Sequence, residues 1–329
     1  MRSALLLLLA AAGARSEDYV AFSSMATSSG PPARALAATV LQHTVASNAA
    51  LGRYAWVFGG LDASVGALND LWMLDLQTGQ WAERIADGAK PSARRGASAV
   101  VVSQKYAYIF GGESATRGRR QDMFLLHLGS GTSTVPRWEA VVYGSLTMPP
   151  SRTEHTATVV PLVHQAGSPL GMIVFGGADQ ISRPLDDLWE FEFSTTDVGG
   201  ASGTWRALNP SGTPPSARKG HSACLLLNSL LAIFGGVDQE VPISYADVHL
   251  YDLRRNQWMQ TTAVGSELPA GRDGHSMVAI EQAPSAPGAS TALCPIPAST
   301  VVASTVPSPA APGCRWSTSS AASMPRARR

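Results

Sequence analysis

An all-β fold is predicted, assembled from four copies of one four-stranded unit and the remains of a fifth. Three recurring markers predict it. Phe-Gly-Gly occurs four times, at Phe58-Gly59-Gly60, Phe110-Gly111-Gly112, Phe175-Gly176-Gly177 and Phe234-Gly235-Gly236. A tryptophan follows each of them, at Trp81, Trp138, Trp205 and Trp258. A Pro-x-x-Arg or Pro-x-Arg segment then ends each unit, at Arg94, Arg152, Arg218 and Arg272, and Arg34 opens the series. These arginines recur at intervals of 60, 58, 66 and 54 residues. Self-similarity at a fixed long period marks an architecture of stacked units, each unable to bury its own apolar face alone.

Each element of the unit has a physical reason. A short β-prone apolar run such as Tyr106-Ala107-Tyr108-Ile109 precedes each glycine pair. The glycines end that strand where the backbone takes positive φ or meets another chain closely. A polar loop follows, then Asp and a third strand, as in Asp70-Leu71-Trp72-Met73-Leu74 and Asp187-Leu188-Trp189-Glu190-Phe191. Asp75-Leu76-Gln77-Thr78-Gly79-Gln80 reads as a hairpin with glycine at its left-handed position. The tryptophan lies on the fourth strand, as filler between neighbouring units, because aromatics bury the most area. The arginine and the Asp before the third strand form a recurring buried ion pair, which fixes geometry more than it adds stability.

Four markers in register over residues 18–280 resemble the kelch repeat. The resemblance implies a kelch β-propeller with four complete four-stranded blades plus a split or truncated fifth. The blades fall at residues 31–90, 91–148, 149–214 and 215–268. Asp18-Tyr19-Val20-Ala21-Phe22 precedes Arg34 much as the Trp138 strand precedes Arg152, so residues 18–26 are assigned to an outer strand of the split blade. Gly274-His275-Ser276-Met277-Val278-Ala279-Ile280 is its first strand. No further glycine pair or tryptophan in register follows, and the patterning stops as in a truncated propeller. Residues 281–329 are rich in Pro, Ala and Ser and are expected to be a disordered tail.

A formal net charge of +1 gives no general attraction to nucleic acid or anionic membrane. Three cysteines are too few for a disulfide scaffold. Cys224 lies in a strand as a small core residue, while Cys294 and Cys314 sit in the tail. Arg2, the leucine-rich run Ala4 to Ala12 and Ala12-Gly13-Ala14 have signal-peptide anatomy, so residues 1–14 are expected to direct the chain into the secretory pathway. That run is far shorter than the roughly 20 apolar residues a bilayer span needs.

Function is expected in loops on a rigid scaffold. The loops after Phe-Gly-Gly and around Pro-x-x-Arg share one face. Candidate partner-binding residues there are Arg95, Arg117, Arg119, Arg120, Arg183, Lys219, Asp238 and Glu240, with Glu154 and Asp273 adding acidic groups. Arginine forks receive carboxylate or phosphate, so the expected partner is an unidentified protein or an acidic ligand. Gly59, Gly60, Gly111, Gly112, Gly176, Gly177, Gly235 and Gly236, the four tryptophans and Arg94, Arg152, Arg218 and Arg272 are assigned to the scaffold. The Arg-x-x-His histidines, His155, His221 and His275, are periodic and are read the same way.

The signal peptide makes attractin-type extracellular kelch proteins the nearest resemblance, and no BTB domain precedes the repeats. The alternative is a metalloenzyme like galactose oxidase or the nitrile-specifier kelch proteins. Glu240, Asp247 and His249 lack the nitrile-specifier spacing, and no catalytic residue, cofactor or metal is expected. The reading is therefore a binding module and not an enzyme. A circular-dichroism spectrum of the purified domain should be dominated by β-structure; a helical spectrum would overturn the fold.

Overall fold

A computed structural model describes residues 30–43, 52–129, 134–165, 169–194, 200–238, 244–259, 269–281 and 299–303. The signal-peptide segment, the strand assigned to residues 18–26, Cys294, Cys314 and Glu240 lie outside these residues. The described residues form strands, turns and irregular segments, with no helix among them. Two compact units are distinguished: Met1–Asn209 with Pro215–Lys219, and Pro210–Pro214 with Gly220–Arg329.

The first unit holds three blades. Blade 1 is β1 (Ala38–His43), β2 (Gly52–Asp62), β3 (Gly66–Asp75) and β4 (Gln80–Glu83), antiparallel in that order. After it comes β5 (Asp87–Gly88). Blade 2 contains β6 (Ser98–Val102), β7 (Tyr106–Phe110), β10 (Met123–His127) and β11 (Arg137–Ala140). A small hairpin, β8 (Glu113–Ser114) and β9 (Gly118–Arg119), fills the loop between β7 and β10. Then come β12 (Val142–Tyr143) and blade 3: β13 (Thr156–Pro161), β14 (Leu170–Phe175), β15 (Leu188–Phe193) and β16 (Ser202–Leu208).

The second unit holds blade 4, of β17 (Ser222–Leu226), β18 (Leu230–Phe234), β19 (Val248–Asp252) and β20 (Gln257–Met259). It also contains β21 (Met277–Glu281), the strand expected to open a fifth blade. Its antiparallel partner is β22 (Ser299–Ala303), drawn from the Pro/Ala/Ser-rich tail.

Outer edges are covered by the preceding repeat. β5 adds in parallel to β11, the outer strand of blade 2, and β12 adds in parallel to β16 of blade 3. In blade 4 a parallel bridge joins Ser211 to Gln257. An open edge offers unpaired donors and acceptors to other chains, and these short additions occupy part of each.

Within the first unit, the blades bury side chains from both faces, so their strands read as continuous apolar runs. In β7, Ala107 and Ile109 join Trp56, Phe58, Leu71 and Met73 of blade 1. Tyr108 and Phe110 point the other way, into Met172, Val174, Phe191 and Trp205 of blade 3. The period-two alternation of a strand thus supplies two cores at once. The tryptophans follow a rule. Trp138 packs on Phe58 at 4.9 Å between ring centroids, and Trp205 packs on Phe110 at 5.0 Å. Each is the outer-strand tryptophan of one blade set against the Phe-Gly-Gly phenylalanine of the blade before.

Trp81 departs from the expectation of equivalent core tryptophans. It is only half-buried, with its indole against Gly30, whereas Trp138, Trp205 and Trp258 are buried. Trp138→Ala should therefore cost about 3–5 kcal/mol, the usual range for a fully buried aromatic, and Trp81→Ala clearly less. Denaturant melts of both variants check this; equal losses would count against the packing rule.

Candidate functional site: a rim of interlocked loops

The rim is built on the motif arginines. Arg152 is fully buried. Its Nη1 donates to the carbonyl of Gly176 at 2.9 Å and to Asp187 Oδ1 at 2.7 Å, while Nη2 donates to Asp187 Oδ2 at 2.7 Å. Its Nε donates to the carbonyl of Pro150 at 3.1 Å. Arg94 repeats the pattern with Gly111, Asp122 and Ser92, and Arg34 with Gly59, Asp70 and Pro32. The guanidinium fork thus binds the first glycine of its own blade and the Asp before the third strand.

Within each unit the same residues tie successive repeats together. The second glycine donates its N–H to the carbonyl of the next motif arginine: Gly60 to Arg94, Gly112 to Arg152, Gly177 to Arg218, and Gly236 to Arg272. This explains the glycine pair. Gly111 has φ +66°, and a Cβ there would lie 2.8 Å from the Arg152 carbonyl oxygen. At Gly112, φ is +90° and a Cβ would approach Ala97 and Arg95 within 3 Å.

The residue two beyond each motif arginine also takes a left-handed conformation, at Leu36, Gly96, Glu154, Gly220 and Gly274. Gly96 N–H donates to the Leu36 carbonyl, Glu154 N–H to the Gly96 carbonyl, and Gly274 N–H to the Gly220 carbonyl. Leu36 and Glu154 hold φ values of 55° and 56°, strained for side-chain-bearing residues. Glu154 also faces Lys219 at 3.5 Å.

The loops around these residues interlock. Arg95 and Glu113 exchange backbone hydrogen bonds, and so do Thr153 and Ala178. Arg152 N–H donates to the Arg120 carbonyl, joining the blade 2 loop to the start of blade 3. Each loop after a glycine pair therefore lies beside the Pro-x-x-Arg segments, as the sequence implied.

The candidate binding residues separate on this frame. Arg95 pairs with Glu113 at 2.8 Å. Arg120 pairs with Asp122 at 3.0 Å, sharing that carboxylate with Arg94. Arg183 is exposed and pairs with Asp179 at 3.2 Å. Asp238 is partly exposed, and Asp273 accepts a hydrogen bond from Ser244 Oγ. Arg117 is exposed at the hairpin tip and forms no hydrogen bond or ion pair among the described residues. Arg119 requires a correction. It was expected on an exposed loop, but it is 8% exposed. Its backbone N–H donates to Gln180 Oε1, its carbonyl accepts from Gln180 Nε2, and its Nη2 donates to Ser182 Oγ. The hairpin lies against the blade 3 loop, which covers the side chain.

The histidines occupy scaffold positions. His155 Nε2 meets Ser98 Oγ at 2.8 Å and stacks edge-on with Phe110; His275 does the same with Ser222 and Phe234. His249 bonds Asp247 at 2.8 Å, two residues after it. Trp72 and Trp189 bond Asp70 and Asp187 from the same repeat position. Phe124 holds that position in blade 2 and lies under the Arg94 guanidinium, 5.4 Å from carbon to centroid. Among the described residues no cluster of three His, Cys, Asp or Glu is placed to hold a metal. Burial pushes the Cys224 thiol up to about 12, so it behaves as a core residue.

A family model described as the KLHDC2/KLHL20/DRC7 Kelch-repeats domain matches residues 42–284. The chain belongs to the kelch-repeat family. Kelch domain-containing protein 2 of Bos taurus is 27% identical over 254 residues, covering 70% of this chain and 58% of that protein. Adagio-like protein 1 of Oryza sativa subsp. japonica is 31% identical over 203 residues, 61% of this chain and 29% of that one. Rho GTPase-activating protein gacHH of Dictyostelium discoideum is 29% identical over 172 residues, covering 52% of this chain and 10% of its own length. The kelch chain thus spans only part of each of these relatives. The solved structure of YjhT matches with a TM-score of 0.50 at 16% identity, covering 74% of each chain, and supports the propeller fold.

Two tests follow from these kelch locks. Arg152→Ala should destabilise by about 3 kcal/mol, the low end for breaking a buried pair, because it leaves the Gly176 carbonyl without its donor while the partly exposed Asp187 keeps its bond from Trp189 Nε1; denaturant melts read the loss. The second concerns pH. Burial, assisted by the charge of Arg272 and opposed by Asp273, lowers the pKa of His275 from 6.5 to about 4. The unfolded chain takes up this proton first, so the contribution is complete above pH 6.5 and is lost as pH falls toward 4. Asp122 behaves differently. Burial raises its pKa, but Arg94 and Arg120 outweigh burial and hold it below 3.8, so its contribution disappears only in stronger acid. Melting temperature should fall between pH 6.5 and 4, and His275→Asn should flatten that limb while leaving the acid limb.

Proposed function

We propose that this kelch propeller is a binding module that engages a protein through the loops on its Phe-Gly-Gly rim. The observation that carries the reading is the interlocking itself. The loops at Arg95–Glu113, Arg120–Arg152 and Thr153–Ala178 are joined by backbone bonds into one pre-organised surface, so little ordering entropy opposes binding. Most charges on that surface are paired internally, which leaves Arg117 and the outward side of Arg183 as the cations offered to a partner. An acidic partner segment suits them, since a guanidinium binds a carboxylate with two parallel hydrogen bonds. Arg2, the leucine run and Ala12-Gly13-Ala14 support a role in the secretory pathway, where the partner would be met.

The test uses the purified full chain as bait for the secreted fraction of its source. Arg117→Glu with Arg183→Glu should cut capture of a specific partner by tenfold or more at 0.1 M salt, with an unchanged melting temperature. Raising salt to 1 M should weaken capture by the parent, because the screening length falls from about 10 Å to about 3 Å. Equal capture by parent and variant at every salt concentration would place the contact elsewhere on the molecule.

A further inference from the structure

Three buried arginines of the first unit, Arg94, Arg152 and Arg119, fall into two kinds. Arg94 and Arg152 each meet a carboxylate in a forked pair. Arg119 meets none. It is 8% exposed, its Nη2 donates to Ser182 Oγ at 2.7 Å, and its Nε and Nη1 are buried with no hydrogen-bond partner. A charge taken out of water without a counter-charge costs far more than a neutral polar group, so its retention calls for a reason.

The surroundings are built firmly. The Gln180 carboxamide clasps the Arg119 backbone from both sides, at 3.1 and 2.6 Å. Gly118 has φ +65°, and a Cβ there would lie 2.9 Å from Gln180 Oε1, so the hairpin meets the loop in close contact. Ser182 is itself left-handed at φ 70° and is held by the Asp179–Arg183 turn. The exposed tip Ala115–Arg117 connects β8 to β9, and Arg183 is exposed on the opposing loop.

We propose that Arg119 anchors an oxyanion-binding site between the β8–β9 hairpin and the Asp179–Arg183 loop, taking the carboxylate or phosphate group of a ligand. Arg119 Nε and Nη1 supply the unused donors, and Ser182 Oγ holds the guanidinium in place. Both nitrogens are shielded from solvent, so the anion enters where the hairpin and the Asp179–Arg183 loop part. Arg117 and Arg183 flank that entrance and attract negative charge toward it. This deepens the reading of the rim as a binding surface, yet it is tested with simple ions and needs no protein partner.

The test follows the melting temperature of the full chain during titration with inorganic phosphate and, separately, acetate, with sodium chloride keeping ionic strength constant. An anion that binds only the folded chain raises the melting temperature as its concentration passes its Kd. The parent should gain a few degrees, Arg117→Gln should gain nearly as much, and Arg119→Gln should gain nothing. Without added anion, Arg119→Gln should melt no lower than the parent, because it removes a buried charge that has no counter-charge and gives up only the bond to Ser182 Oγ. Ser182→Asp places a carboxylate beside Nη2, in a conformation Asp tolerates. It should melt higher than the parent and lose the response to anions. A response to phosphate alone assigns phosphorylated ligands, and an equal response to acetate assigns acidic side chains. Equal shifts in the parent, Arg119→Gln and Ser182→Asp, or no shift in the parent, would overturn the site. If the phosphate shift persists while partner capture ignores Arg117 and Arg183, the anion site stands and the wider binding reading fails.

Discussion

One guanidinium at the start of each blade in the first unit organises much of what surrounds it. Its side chain binds the first glycine carbonyl and the Asp carboxylate of its own blade. In blades 2 and 3 its backbone carbonyl also receives the second glycine of the blade before. A short residue could make the backbone bond, and a lysine could neutralise the Asp. Only a planar fork with five donors can do both while reaching a carbonyl at a fixed angle. The pair of a buried arginine and a partly exposed Asp is therefore better understood as a gauge of distance and orientation than as a large source of stability. The glycine pair is its necessary counterpart, since a Cβ at the first position would collide with the backbone of the next repeat and one at the second with the opening segment of its own.

This geometry also governs the electrostatics of the rim. With the Asp residues committed to motif arginines, the loops neutralise themselves locally, through Arg95 with Glu113, Arg183 with Asp179 and Lys219 with Glu154. A sequence count of arginines overstates the positive field of such a surface. What distinguishes the rim is the contrast between an exposed cation at the hairpin tip and a sealed one beneath it.

Much of the fold was legible in the sequence because its markers recur in register. A phenylalanine, two glycines, an Asp, a tryptophan and an arginine, repeated at one long interval, leave few arrangements that could use them all. The pairing of Arg152 with Asp187 could be read from that recurrence. Two things could not. Trp81 looks like its three counterparts, but among the described residues it has no phenylalanine of a preceding blade to pack on, and only position in the array reveals this. Arg119 sits in a loop by every local sign, and its burial depends on Gln180, 61 residues later in the next repeat. Long-range packing of one loop on another leaves no periodic trace. The fragment at Asp247 and His249, set in the sequence only against the nitrile-specifier motif, proves to occupy the repeat positions of Asp70 and Trp72.

The short parallel additions β5 and β12 bear on how such a chain is made. Each precedes in sequence the outer edge that it covers: Asp87–Gly88 is synthesised before β11, and Val142–Tyr143 before β16. As the chain leaves the ribosome, the segment that will shield a blade's last strand is already present when that strand emerges. The direction of synthesis and the direction of edge protection coincide. A circular permutation cut between β5 and β6 would reverse that order for blade 2, exposing its outer strand until the far end of the chain arrived, although every contact of the finished fold could still form.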